Sequence, residues 1–145
     1  MEDRFERFTF ITTEIHQQIS KLSSEVMAEY GLRGSQAIYL LTLEKHRAGI
    51  TSAKLAELCC RNKADVSRAM VDFANAELIT KKGDSKNYRA TIFLTPKGAQ
   101  YADKLRSKCN DVLSVVGIGI PEEKRVVLYE CLEIISKNLR EINEP

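Results

Sequence analysis

Apolar residues recur every three or four positions along the first part of the chain, at Phe5, Phe8, Ile11, Ile15, Ile19, Leu22, Val26 and Tyr30, which predicts one long amphipathic helix. Gly31 and Gly34 are placed to end it. Its stripe, with Phe8, Ile15 and Leu22 seven apart, is longer than a small domain covers alone, so part of it is expected to pack on another subunit. Ser35 predicts the N-cap of a short core helix over Gln36–His46, built on Ile38, Leu40, Leu41 and Leu43 and ending near Ala48-Gly49. Thr51 or Ser52 caps the next helix, which runs from Ala53 to about Cys60 with Leu55, Ala56 and Leu58 apolar. Arg61-Asn62-Lys63 then makes a turn.

A further helix is expected over about Ala64–Ala76, its apolar face formed by Val66, Ala69, Met70 and Phe73. Arg61, Asp65, Arg68 and Asp72 are assigned to the opposite side, with Ser67 at its edge. Two short helices joined by a tight turn, the second polar on its outer face, match a helix-turn-helix. Leu78-Ile79-Thr80 and Ala90–Leu94 are β-prone runs that flank a basic, turn-rich loop over residues 81–89. Helix-turn-helix followed by a basic hairpin predicts a winged helix. Thr95 caps a helix entered through Pro96 and carrying Ala99, Ala102, Leu105, Val112 and Val116. Gly117, Gly119 and Pro121 break it before a last helix from Glu122 to about Ile142. The expected class is therefore mainly α with a small β-hairpin wing, in one domain over residues 1–145.

Charge sharpens this picture by its distribution. The whole chain carries only +2, but residues 50–97 hold nine Lys/Arg against five Asp/Glu, whereas both flanking thirds are slightly acidic. The positive excess sits on the helix-turn-helix and wing. Two histidines, no Gly-rich phosphate loop, no His-Glu-x-x-His and no nucleophile elbow argue against an enzyme, a metal site or a cofactor. The longest apolar run, Val112–Ile120, is too short to span a membrane, and Glu2-Asp3 after Met1 does not open a signal peptide, so the expected location is cytoplasmic. Cys59, Cys60, Cys109 and Cys131 match no zinc or redox spacing. They read either as free buried thiols or, for Cys59 or Cys60 beside Arg61 and Lys63, as a redox-sensing thiol.

These residues resemble the MarR/SlyA-type winged helix-turn-helix regulators of transcription. The family pattern of Leu-Ala-Glu in the first helix and Val-Ser/Thr-Arg in the recognition helix is met by Leu55-Ala56-Glu57 and Val66-Ser67-Arg68. Its Gly-Leu-Ile/Val entry to the wing and closing Leu-Thr-x-x-Gly correspond to Glu77-Leu78-Ile79 and Leu94-Thr95-Pro96-Lys97-Gly98. Glu77 departs from the usual glycine, and the wing lacks the common Asp-x-Arg pair in clear register.

The resemblance implies a homodimeric, sequence-specific regulator, a repressor on a palindromic operator, with residues 34–95 binding DNA and residues 1–33 and 96–145 supplying dimerisation helices. Ser67 and Arg68 match the family motif; Asn62, Lys63 and Asp65 lie near the same helix N-terminus, where base edges come within reach. Arg68 either contacts DNA or is a structural arginine paired with Asp65 or Asp72. Thr51 and Ser52 offer donors to a phosphate or serve as a plain N-cap. Lys81, Lys82, Lys86 and Arg89 of the wing are candidates for phosphate or minor-groove contacts. Phe5, Phe8, Leu132, Ile135, Leu139 and Ile142 are the candidate dimer interface. His16, Tyr39 and Tyr101 are candidates for lining a pocket for a small aromatic or lipophilic effector. The competing readings are a winged helix used for protein contact, which an apolar outer face on the recognition helix would favour, and a thiol-based redox sensor.

Overall fold

A computed structural model describes residues 3–83 and 90–144. Asp3 opens the first helix, its carboxylate accepting the Phe5 N–H at 3.0 Å, and α1 runs Arg4–Ala28. A 3-10 turn at Gly34–Gln36 leads into α2, Ala37–Lys45. β1 is Ile50–Thr51, α3 Ser52–Cys59 and α4 Lys63–Asn75. β2 (Ile79–Lys82) and β3 (Thr91–Leu94) form the wing, and α5 (Pro96–Val116) and α6 (Glu122–Asn143) close the chain. The fold is mainly helical with a small antiparallel sheet, as the periodicity predicts.

The chain forms two compact units, Met1–Cys109 and Asn110–Pro145, with the boundary inside α5. In the first, Leu40, Leu43, Leu55, Val66, Met70, Phe73, Leu78, Ile92 and Leu105 are all at most 2% exposed and make one core. The four apolar residues expected on α4 are all in it. In the second unit, Arg125 fastens the turn before α6, donating from Nε to the Ile120 carbonyl at 3.0 Å and from Nη2 to that of Gly117 at 2.9 Å.

Two local expectations are corrected. Ser35 is not the cap of α2: the side chain of Gln36 accepts the Arg33 N–H at 2.9 Å, and the chain enters α2 through the 3-10 turn. The sheet has a third strand that the sequence reading does not contain. Ile50 and Thr51 pair with Ile92 and Thr91, which gives the order β1-β3-β2.

The exit from α4 has a well-defined geometry despite lacking glycine. Leu78 N donates to the Phe73 carbonyl at 2.8 Å and Glu77 N to that of Ala74 at 3.0 Å, the paired bonds of a Schellman ending. Glu77 fills its left-handed position at φ 61°, so the turn has the shape a glycine would give. Thr95 locks it, donating from Oγ1 to the Glu77 carbonyl at 2.7 Å while accepting the Gly98 N–H at 3.0 Å as the cap of α5. Gly98 is required because a Cβ there would collide with the Leu78 carbonyl oxygen. The Leu-Thr-x-x-Gly motif is thus the clasp between the end of α4 and the wing strands.

A side chain at positive φ is strained by roughly 1–2 kcal/mol, part of which glycine gives back through its larger unfolded-state entropy. Glu77→Gly is therefore expected to stabilise the protein by about 0.5–1 kcal/mol, read as a higher urea midpoint at unchanged slope. An unchanged or lower midpoint would show that Glu77 is held by something other than its backbone conformation.

Candidate nucleic-acid interface

α3 and α4 begin on threonine and asparagine caps. Thr51 Oγ1 accepts the Lys54 N–H at 3.2 Å, and Asn62 Oδ1 accepts the Asp65 N–H at 2.8 Å. Both oxygens stabilise helix starts by satisfying a first-turn N–H. Ser52, Ala53, Lys63 and Ser67 line a small cleft of about 60 Å³ between the two helix starts. The structure therefore brings Ser52, Lys63 and Ser67 together, as a phosphate-facing corner needs.

The outer surface of α4 differs from the expected one. Its exposed stripe is Ala64, Ser67, Arg68, Val71 and Asn75, which contains no acid. Asp65 and Asp72 lie on one flank and are half-buried. Asp65 pairs with the Arg68 guanidinium one turn along. Asp72 accepts a hydrogen bond from Gln36 Nε2 at 2.7 Å and lies 3.6 Å from the Arg33 guanidinium. Of the four residues expected opposite the core, Arg68 is on the exposed stripe, Asp65 and Asp72 belong to its flank, and Arg61 precedes the helix, which Asn62 caps. The signal was available, since the same 100° spacing sets Ala64, Val71 and Asn75 opposite the buried Val66-Ala69-Met70-Phe73 face. The two carboxylates that would repel phosphate have cationic or amide partners, and Arg68 keeps 63% of its side chain exposed.

On the wing, Lys81 and Lys82 are exposed on β2, and Lys82 Nζ lies 5.2 Å from the centre of the Phe93 ring, which orients it. Lys86 and Arg89 lie outside the described residues.

Of the three effector candidates, His16 and Tyr39 line two clefts that share Arg33, Ser35 and Arg61, whereas Tyr101 lines neither. His16 borders an open groove of about 610 Å³ with Ile19, Ser20, Arg33, Ser35 and Arg61 among its other walls. Tyr39 is 3% exposed in the core, where burial pushes its hydroxyl above the usual tyrosine range, and it edges a smaller cleft beside Arg61. Tyr101 stacks on Tyr30 with ring centres 4.2 Å apart.

Not all four thiols are buried. Cys60 and Cys131 are exposed, whereas Cys59 is buried with its sulfur 3.4 Å from Thr42 Oγ1. Burial pushes the Cys59 thiol up, outweighing its hydrogen bond with Thr42 and the nearby Arg61. Burial thus disfavours the Cys59 thiolate that a sensor requires, while Cys60 has the accessibility of one. Among the described residues no cluster of His, Cys, Asp and Glu is arranged to hold a metal, and no helix is long and apolar enough to cross a membrane.

The candidate dimer residues lie on exposed apolar faces. On α1, Phe5 is 76% and Phe8 40% exposed. On α6, which has no buried residue, Leu132, Leu139 and Ile142 are exposed and Ile135 is half-buried.

No protein-family model and no curated protein sequence matches the chain. Solved structures match over nearly its whole length. A MarR transcriptional regulator from Methanosarcina mazei superposes with a TM-score of 0.82 at 18% identity, covering 97% of this chain and 93% of its own. MepR of Staphylococcus aureus, solved as a complex with DNA, superposes at 0.83 with 17% identity, covering 94% and 99%. A putative MarR family regulator from Listeria monocytogenes, complexed with a 26mer DNA, gives 0.79 at 24% identity, covering 97% and 91%. The fold is the winged helix of MarR-type transcription regulators.

Proposed function

We propose that this chain is a sequence-specific DNA-binding transcription regulator that acts as a homodimeric repressor on a palindromic operator. The observation that carries this reading is the acid-free outer stripe of α4, which includes Arg68, with both flanking carboxylates engaged by partners. Two proteins of the same fold are solved with DNA, which supports it. Residues 34–95 are the DNA-binding region of a single functional domain; Ser52, Lys63, Ser67 and Arg68 meet the duplex from the helices and Lys82 from the wing. The exposed apolar faces of α1 and α6 are covered by a second copy. A small aromatic or lipophilic effector entering the groove beside His16 would relieve repression.

Selection from a library of randomised duplexes, followed by fluorescence anisotropy at several salt concentrations, tests the reading. Enrichment of one palindromic sequence, bound more tightly than a scrambled duplex and with steep salt dependence, is expected. Equal, weak binding to every duplex would move the assignment to a protein-contact winged helix.

Val71, 54% exposed on the same stripe and one turn beyond Ser67, has the chemistry to read a thymine methyl. Replacing the thymine next to the guanine contacted by Arg68 with deoxyuridine is expected to weaken binding about fourfold, the worth of one buried methyl near 0.8 kcal/mol. The Val71→Ser protein should not distinguish the two duplexes. Equal losses in both proteins would assign the methyl to another residue.

A further inference from the structure

Gln36 is the one polar side chain buried with the core among the described residues, at 1% exposure. Its amide is used at both ends: Oε1 accepts the Arg33 N–H at 2.9 Å and Nε2 donates to Asp72 Oδ2 at 2.7 Å. The Arg33 guanidinium approaches the same carboxylate oxygen at 3.6 Å. One amide therefore ties the turn after α1 to the last turn of α4. That turn is itself fixed against α1, because Gly34 packs on the Ser24 backbone so closely that a Cβ would overlap it.

We propose that Gln36 is a positioning residue that sets the rotational register of the recognition helix, and so decides which arc of α4 meets the bases. The inference rests on the DNA-binding reading above. Apolar packing alone fixes α4 weakly in rotation, since Val66, Ala69, Met70 and Phe73 present a broad face to the core and dispersion contacts are not directional. A hydrogen bond is directional, and weakens steeply when bent. With side chains, a helix has a radius of roughly 5–6 Å, so a roll of about 15° carries a tip about 1.4 Å sideways. Such a shift is enough to spoil a bidentate contact to a base, for which placement within about 0.5 Å is needed. The clamp also holds Asp72 on the flank; a roll toward the outer arc would bring its charge toward the phosphates.

The test is an isosteric exchange in which the single variant adds one negative charge and the double variant restores the wild-type net charge. Gln36→Glu sets a carboxylate against Asp72, and Gln36→Glu with Asp72→Asn restores a donor and an acceptor with the sense reversed, leaving the Arg33 N–H its acceptor. Each protein is titrated onto the duplex enriched by the wild type and onto a scrambled duplex, with urea denaturation alongside. The ratio of the two affinities should fall about tenfold or more in Gln36→Glu and return to within about twofold of wild type in the double variant. A residue that serves folding alone would change the urea midpoint and leave the ratio where it was, which overturns the proposal. So would equal losses on both duplexes, or a folded double variant that stays as poor as the single. Asp72→Ala, at a half-exposed position, cuts the same bond if Gln36→Glu does not fold, and must lower the ratio as well. Should no duplex be enriched by the wild type, the DNA-binding reading falls and takes this inference with it; an enriched duplex whose ratio is insensitive to the clamp sinks the inference alone.

Discussion

Arg68→Ala is expected to weaken binding to the enriched duplex at least about 30-fold while leaving the fold intact. A bidentate arginine contact to guanine contributes about 1–3 kcal/mol, and a two-fold complex makes it twice. On the protein side little is lost. The Arg68–Asp65 pair is an exposed contact across one helical turn, with side chains 63% and 41% accessible, and such pairs stabilise by a few tenths of a kcal/mol. Asp65, left without Arg68, still lies in the first turn of α4, where the helix dipole favours a negative charge. Binding to a scrambled duplex should therefore fall only a few-fold. A uniform loss on all duplexes, with a salt slope shallower by about one unit per arginine removed, would instead make Arg68 a phosphate contact. Unchanged binding would leave Arg68 a partner of Asp65 and nothing more.

The second large effect concerns assembly. Leu132 and Leu139 lie two turns apart on one stripe of α6, 43% and 48% exposed, and no residue of that helix is buried. Burying a leucine contributes about 1.5–3 kcal/mol, and a two-fold interface would bury four of them. Leu132→Asp combined with Leu139→Asp removes that contribution and adds charges that resist desolvation, so the dissociation constant should rise by at least about 10⁴. Sedimentation equilibrium is expected to give twice the chain mass for the wild type and one chain mass for the variant. Operator affinity should fall with it, since a monomer reaches only one half-site. A variant that stays dimeric would place the interface elsewhere, and a monomeric wild type would remove the dimer from the proposal.

The winged-helix plan was legible because each element announces itself locally. The α4 periodicity named the four residues that line the core, the α1 stripe named a long amphipathic helix, and β-prone runs around a basic loop named the wing. The recognition motif Val66-Ser67-Arg68 and the clasp Leu94–Gly98 were visible for the same reason. The candidate site was legible in its residues more than in its orientation. Ser67 and Arg68 lie on the exposed arc, but the arc itself is centred on Ala64, Val71 and Asn75, and the acids assigned to it belong to a flank.

What the sequence determined by itself, then, is which side of each helix is apolar, the order of the helices and the caps of α3, α4 and α5, and where positive charge collects, because these depend on spacing and on neighbours a few residues away. What only the tertiary structure decided depends on partners far along the chain. Two residues, Ile50 and Thr51, become a strand only because Ile92 and Thr91 offer their free edge. Gln36 is buried only because Arg33 N and Asp72 satisfy its amide, without which burial would cost more than the core returns. Glu77 adopts a glycine's conformation because the Thr95 hydroxyl and the paired bonds from Glu77 and Leu78 outweigh its local strain. Local spacing fixes the period of a helix, but its rotation and the charges it finally shows are set by what packs against it.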